Sequence, residues 1–200
     1  MDLSADDNIL VIDAATPRVQ VLHLLGGKLQ KYASGTGKVA ELISDLVEEV
    51  QCDIEDLNDV IFCCGPGSAI GIRSSMVSVK TWQIFLNTNL NIYEYDSLSM
   101  SLLLNPKVSC VYTYGVGEEL LCKRRNSETI DKVLFKDVLP KQTVHFLDTR
   151  LSRQERYKNF TPVVYDIAKL NIHKFLPICR RFDGLLKSYT DVTFQKWSGQ

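Results

Sequence analysis

Apolar runs separated by turn residues predict five strands in the first half of the chain. They lie over residues 8–14, 19–25, 28–33, 60–64 and 91–95, and most contain several β-branched or aromatic side chains. Gly26 and Gly27 fit a two-residue hairpin loop. The first three strands are therefore expected to be adjacent and antiparallel.

Apolar positions at helical spacing predict three helices between and after these strands. The first is amphipathic and covers 38–51, the second follows Ser68 and ends at Phe85, and the third covers 97–104 with Asp96 or Ser97 as its cap. The resulting order β-β-β-α-β-α-β-α predicts a layered α/β domain over residues 1–104, with a boundary near Asn105.

The second half, residues 105–200, has a weaker pattern. We predict strands of another antiparallel sheet over 108–114, 119–123, 129–135 and 143–147, and a helix over 161–175 that begins at Pro162. The tail over 185–197 is expected to be extended and anchored by aromatic side chains. The sequence contains no internal repeat that we can recognise.

The most informative stretch runs from residue 59 to residue 85, where a buried strand, a glycine turn and a helix follow one another. Gly65 and Gly67 allow a tight turn, and Ser68 is suited to cap the helix. Free amides and the helix dipole converge at such a turn, so it fits a phosphate group. Asp13, at the end of the first strand, either holds a metal–nucleotide complex or hydrogen-bonds its own turn.

The helix after this turn has one face with very little side-chain bulk. Gly71, Ser74 and Ser78 recur at spacings of three and four, so another helix is able to approach closely there. This pattern fits either an ordinary central helix of an α/β core or a helix that docks against a second protein.

Composition and net charge argue against some classes of function. The chain has 200 residues, a net charge of −1 and 45% hydrophobic residues, which is typical of a globular protein without a strong positive field for nucleic acid. The acidic N-terminus resembles neither a signal peptide nor a membrane span, so we expect a cytoplasmic protein. The one basic and aromatic stretch, over 150–160, is either a solvated surface or a weak RNA contact.

Cysteine and histidine spacings argue against a metal centre. None of the six cysteines forms a C-x-x-C pair, so buried reduced thiols are expected. The three histidines, His23, His145 and His173, are far apart and lack metal-ligand spacing. The same spacings give no nucleophile–histidine arrangement for a protease.

Four segments resemble the bacterial TsaB family, also called YeaZ. They are VIDAAT at 11–16, FCCGPGSAIGIR at 62–73, EYDSLSMSLLL at 94–104 and LLKSYTDVTFQKW at 185–197. The pattern GPGS-x-x-G-x-R is the most specific of them. Ala69 and Ile70 stand where the family has Phe-Thr, and Thr113 to Gly115 replace an aspartate-arginine motif, so the chain resembles a divergent member.

The resemblance implies an actin-like ATPase fold, in which two lobes are each built on a ribonuclease-H-like mixed sheet and the second lobe is reduced. It also implies a role in forming threonylcarbamoyladenosine in tRNA, together with a TsaD-like transferase and a TsaE-like ATPase. TsaB-like proteins are not thought to be the catalyst, so no cofactor of its own is expected, with ATP or ADP and Mg acting at the level of the complex. A homodimer is a further expectation, tRNA contact is expected to be indirect or weak, and no membrane contact is expected.

Two hypotheses follow for the residues of interest. In the first, the chain is a non-catalytic scaffold, and its interface with the TsaD-like subunit comprises Val39, Ile43, Gly71, Ser74, Ser75 and Ser78. In the second, it is a nucleotide-dependent phosphotransferase or ATP hydrolase. The residues that would bind the nucleotide are Asp13, Gly65, Gly67, Ser68 and Arg73, which in the first hypothesis are remnants of a phosphate loop.

Overall fold

The computed structural model describes residues 7–86, 89–115, 119–138, 144–147 and 160–184. Its first sheet has six strands in the order β11-β5-β4-β1-β2-β3. The strands that the first half of the chain contributes are β1 (Asn8–Asp13), β2 (Val19–Leu25), β3 (Lys28–Gly35), β4 (Asp59–Cys63) and β5 (Asn91–Tyr95). These bounds agree with the prediction within two residues.

Strand directions follow from the lengths of the connections. The hairpin turn at Gly26 and Gly27, both with positive φ, joins β2 and β3, and β1 pairs antiparallel with β2. By contrast, β1, β4 and β5 are mutually parallel because each connection between them contains a helix. The carboxyl ends of these three parallel strands therefore meet at one edge of the sheet.

Two helices cover one face of the first sheet. They are α1 (Val39–Glu49) and α2 (Ala69–Phe85), and they enclose a core that includes Val60, Phe62, Val79 and Trp82. Ser68 caps α2, because its side chain accepts a hydrogen bond from the Gly71 amide. The prediction of Ser68 as a cap is thus confirmed.

The second sheet has five strands and the same order of connections as the first. Its order is β10-β9-β6-β7-β8, where β6 is Cys110–Tyr114, β7 is Glu119–Arg124, β8 is Asp131–Leu134, β9 is Val144–Phe146 and β10 is Phe160–Pro162. Only β6, β7 and β8 are antiparallel, and β9 and β10 run parallel to β6. The predicted antiparallel sheet is therefore a mixed sheet. Helix α3 (Ser97–Leu104), capped by Asp96, connects the two sheets.

The chain returns to the first sheet after β10. The predicted helix over 161–175 is wrong: this region contains β10, an extended segment, a 3-10 turn at Ile167–Lys169 and the short helix α4 (Ile172–Phe175). Ile167, Ile172 and Phe175 cover the face of the first sheet that is opposite to α1 and α2. Strand β11 (Arg180–Arg181) then pairs with β5, so these two residues belong to the first sheet.

Two predicted features lie outside the described residues, namely the charged positions 150–158 of the basic stretch and the extended tail over 185–197. Within the described ranges, none of the helices has the length and apolar content needed to cross a membrane.

Candidate nucleotide site and exposed helix face

The loops that follow β1, β4 and β5 meet at one edge of the first sheet. Parallel pairing places Ile12 beside Phe62 and Cys63 beside Tyr95. Asp13, the Gly65–Ser68 turn and Tyr95 are therefore brought together from distant parts of the sequence. The structure thus groups four of the five predicted nucleotide-binding residues at one edge of the sheet.

Asp13 lies at the centre of this edge and is fully buried. Its Oδ2 accepts hydrogen bonds from the hydroxyls of Tyr95 and Tyr165, both at 2.5 Å, and its Oδ1 accepts one from the Ala15 amide at 3.0 Å. Burial raises the pKa of Asp13 above its ordinary value, and these hydrogen bonds oppose that rise. Both carboxylate oxygens therefore already have partners within the chain.

Tyr165 reaches Asp13 from the extended segment after β10, and sequence reasoning missed it. The segment is held by Gln20 of β2, whose amide donates to the Tyr165 carbonyl at 3.3 Å and whose Oε1 accepts from the Ile167 amide at 3.1 Å. The Tyr32 hydroxyl donates to the same Oε1 at 3.0 Å. Gln20, a fully buried polar residue in a mostly apolar strand, was the available signal of this contact.

The glycine turn is closed by its own neighbours. The Ser68 amide donates to the Ala15 carbonyl at 2.7 Å, and Ser97 donates to the Gly65 carbonyl through its amide at 2.8 Å. Gly65 has a φ of +99° and is followed by a cis peptide bond to Pro66. One amide of the turn, that of Ser68, therefore already has a backbone partner.

Two glycines allow the loop after β1 to lie directly against this turn. A Cβ atom on Gly67 would be 2.2 Å from the Ala15 carbonyl oxygen, and one on Gly71 would be 1.9 Å from the Ala14 carbonyl oxygen. Both distances are far below van der Waals contact. The glycines at these positions are explained by close backbone packing within the chain.

One cavity at this edge of the sheet is small. The cavity lined by Ala15, Thr16, Gly67, Thr113 and Leu147 has a volume of about 10 Å³, close to that of one water molecule. Ligand pockets are typically about 300–1,000 Å³. Among the residues that the structure describes, no group of three or more His, Cys, Asp or Glu side chains is placed to hold a metal ion.

Arg73, the fifth predicted nucleotide-binding residue, is not part of this cluster. It is exposed and lies one turn into α2. On a helix its position is close to those of Ile70 and Val77, which are also exposed. Arg73 therefore belongs to the solvent-facing side of α2.

This side of α2 carries large apolar residues. Ile70, Val77, Ile84 and Phe85 are 73%, 57%, 64% and 77% exposed, and we call these four residues the α2 stripe. Ile70, Val77 and Ile84 are separated by seven residues each, so they form one line along the helix. Exposed apolar groups arranged in a line are typical of protein–protein contacts.

The predicted interface is partly buried within the chain. Ile43, Gly71 and Ser75 are inaccessible, since Ile43 packs in the core, Gly71 lies against Ala14 and the Ser75 hydroxyl donates to the Gly71 carbonyl at 3.0 Å. Val39, Ser74 and Ser78 are half-buried. One edge of the low-bulk face therefore packs within the chain, and the other edge lies beside the α2 stripe.

The two mixed sheets, each with three antiparallel strands followed by parallel ones, define the class of the protein as the actin-like ATPase, or ribonuclease-H-like, fold. This confirms the predicted fold class.

Two solved structures share this fold. YeaZ from Pseudomonas aeruginosa matches with a TM-score of 0.54 and 15% identity over 70% of this chain and 74% of that chain. An uncharacterized protein described as similar to peptidase YeaZ from Pseudomonas aeruginosa matches with a TM-score of 0.58 and 12% identity over 80% and 85% of the two chains. No protein-family model and no curated protein sequence matches this chain. The chain is therefore TsaB-like in fold.

Proposed function

We propose that this chain is a non-catalytic subunit that pairs with a TsaD-like transferase during the formation of threonylcarbamoyladenosine in tRNA. The observation that carries the proposal is the α2 stripe, an exposed apolar line along a helix whose first turn packs against the loop after β1. In this proposal the transferase performs the chemistry, a TsaE-like ATPase joins the assembly, and the work takes place in the cytoplasm.

Helix α1 supplies the polar border of the proposed surface. Its exposed side carries Glu41, Asp45, Glu48 and Glu49, and it packs beside α2. We therefore expect the partner to present an apolar helix face flanked by basic residues. Such charge complementarity mainly increases the association rate and selects the partner.

A groove between the C-terminal parts of α1 and α2 extends this surface. Its volume is about 560 Å³, and its lining combines apolar Val47, Trp82 and Leu86 with acidic Glu48 and Asp53. An apolar centre with a polar rim is the usual composition of a protein interface. In our proposal the groove receives side chains from the partner's helix.

Binding of the isolated chain to a TsaD-like protein from the same host tests this proposal. The variants Val77→Asp and Ile84→Asp should each weaken the complex at least about tenfold, because each loses about 1–2 kcal/mol of apolar burial and places a charge in the interface. Lys31→Asp is the matched control, since Lys31 is exposed on β3, the edge strand farthest from β11. The dissociation constant is measured by calorimetry or interferometry.

The folded state of each variant is checked by its melting temperature, which should stay within about 2 °C because the replaced side chains are exposed. If both stripe variants bind as tightly as the wild type, the stripe is not the interface. A separate assay addresses the pathway: loss of the gene should remove threonylcarbamoyladenosine from host tRNA, and the wild-type gene should restore it. An unchanged level of the modification would contradict the proposed role.

The alternative, a nucleotide-dependent phosphotransferase or ATP hydrolase, is not favoured. It requires room for a nucleotide and a carboxylate free to organise a metal. Asp13 instead has partners for both oxygens, and the adjacent cavity has the volume of one water molecule.

A further inference from the structure

Two cysteines lie side by side on the second sheet, away from the edge where β1, β4 and β5 end and from the α2 stripe. Strand register pairs Cys110 with Arg124 and Tyr112 with Cys122, so the two cysteines are diagonal neighbours on one face of β6 and β7. Their sulfur atoms are 3.9 Å apart and share a hydrogen bond. We propose that Cys110 and Cys122 are a redox-active dithiol, which hydroperoxides oxidise to a disulfide within the chain.

The two thiols differ in solvent exposure, and this difference indicates which of them reacts first with the oxidant. Cys110 is half-buried and Cys122 is buried. A small oxidant in solution therefore reaches the Cys110 sulfur first, and Cys122 is the thiol that completes the disulfide. This division between an accessible reacting thiol and an adjacent resolving thiol is typical of redox-sensing cysteines.

The surroundings favour ionisation of Cys110 over Cys122. The hydrogen bond between the two sulfurs is the main factor that lowers the pKa of Cys110, and Tyr112 and Arg124 act in the same direction, while burial and Asp131 oppose it. The same hydrogen bond and burial raise the pKa of Cys122. The thiolate, which is the nucleophilic form, is therefore favoured at Cys110 over Cys122.

The reaction has two balanced steps. First, the Cys110 thiolate attacks one oxygen of the hydroperoxide, an S–O bond forms, the O–O bond breaks, and the leaving oxygen takes up a proton to give water or an alcohol. Second, the Cys122 sulfur attacks the Cys110 sulfenic acid, an S–S bond forms, and water leaves. The sulfurs must approach by about 1.9 Å to reach the disulfide length. The cysteine pair is oxidised by two electrons, and the hydroperoxide is reduced by two.

Cys52 is an internal reference for the reactivity of Cys110. Cys52 is buried, and burial together with Asp53 and Asp56 raises its pKa to about 12. Its thiolate fraction at pH 7 is therefore smaller than that of Cys110, whose pKa is lowered. The greater intrinsic nucleophilicity of a more basic thiolate offsets part of this difference. Because Cys52 is also buried, we expect iodoacetamide to modify Cys110 at least about tenfold faster than Cys52.

Peptide mapping tests the disulfide directly. Trypsin releases both cysteines in one peptide, residues 108–123, because Lys107 and Lys123 flank it. After one equivalent of hydrogen peroxide at pH 7, this peptide should lose two hydrogen atoms, and the other four cysteines should remain open to alkylation. A second cleavage after Glu119 should leave two fragments joined by a bond that dithiothreitol breaks.

Variants separate the two roles. In Cys122→Ser, Cys110 should stop at the sulfenic acid, which dimedone traps, and the disulfide should be absent. Cys52→Ser is the matched control and should react like the wild type. The proposal is overturned if the wild-type peptide keeps both thiols while Cys52 is oxidised, if Cys110 joins a second chain instead of Cys122, or if the alkylation rates differ by less than tenfold.

Discussion

Replacement of Asp13 tests whether this carboxylate stabilises the fold or waits for a ligand. In Asp13→Ala the hydroxyls of Tyr95 and Tyr165 lose their acceptor in a buried site. A buried polar group without a partner costs about 1–3 kcal/mol, so the two together should lower the free energy of unfolding by about 2–6 kcal/mol. That is a large share of the stability of a typical domain, about 5–15 kcal/mol.

Asp13→Asn is the matched variant, because it keeps the shape of the side chain and the Oδ1 acceptor but replaces the Oδ2 acceptor by an amide donor. Its Oδ1 can accept from the Ala15 amide, while its Nδ2 can donate to the two tyrosine hydroxyl oxygens. We therefore expect Asp13→Asn to lose less stability than Asp13→Ala at pH 7. Asp45→Ala, at an exposed position of α1, controls for the general effect of removing an aspartate and should change stability by about 0.5 kcal/mol or less.

Urea unfolding followed by circular dichroism measures these differences. With a slope of about 2 kcal/mol per molar urea, a loss of 4 kcal/mol lowers the midpoint by about 2 M. If Asp13→Ala is as stable as the wild type, or if Asp13→Asn is as unstable as Asp13→Ala, the carboxylate does not support the fold through the two tyrosines. A residue kept for ligand binding would instead tend to leave stability unchanged or raised when replaced.

The pH dependence of stability gives a further check on Asp13. Its folded pKa is raised above the ordinary value of 3.8, so its contribution to stability is fully present below that value. The contribution is then lost as the pH rises through the folded pKa. Asparagine does not titrate, so the stability of Asp13→Asn relative to the wild type should increase from pH 3.5 to pH 7. A difference that stays constant or decreases over this range would refute the assigned direction.

Two further substitutions, one of them with a control, and one nucleotide titration test the glycine turn and the start of α2. Gly71→Ala should destabilise the chain by at least about 1–3 kcal/mol, because the new methyl group would clash with the Ala14 carbonyl. Gly37→Ala is the control: a Cβ atom there has no other atom within 4 Å, so the substitution should be neutral or stabilising in the same urea assay. Ser68→Ala should cost about 1 kcal/mol through loss of the α2 cap; an unchanged urea midpoint would contradict this. Calorimetric titration with Mg-ATP should give a dissociation constant weaker than about 1 mM; saturable micromolar binding would reopen the nucleotide hypothesis.

Local sequence was enough to predict the elements from β1 to α3. Strands such as Asn91–Tyr95, helix Ser97–Leu104 and the cap at Ser68 were predicted correctly because apolar periodicity, capping residues and glycine turns act over a few residues. The region from 161 to 175 was not, because Tyr165 and Ile167 are fixed by contacts with the first sheet rather than by a helical pattern. Strand β11 has only two arginines and therefore no apolar signal.

The candidate site was likewise predicted only in part. The sequence located Asp13 and the glycine turn, but it did not reveal that Tyr95 and Tyr165 bind the Asp13 carboxylate from 82 and 152 residues away. It also showed that Gly71, Ser74 and Ser78 share one side of α2 without showing which edge faces solvent.

By itself, then, the sequence determined the order of the early elements, the turn chemistry and the position of the candidate carboxylate, since each depends on neighbouring residues. Only the tertiary structure decided that the glycine turn packs against the loop after β1 and that Ile70, Val77, Ile84 and Phe85 are exposed on α2. The physical reason is that the first turn of α2 packs against the loop after β1. That long-range contact fixes the rotation of the helix and so decides which side chains remain in solvent.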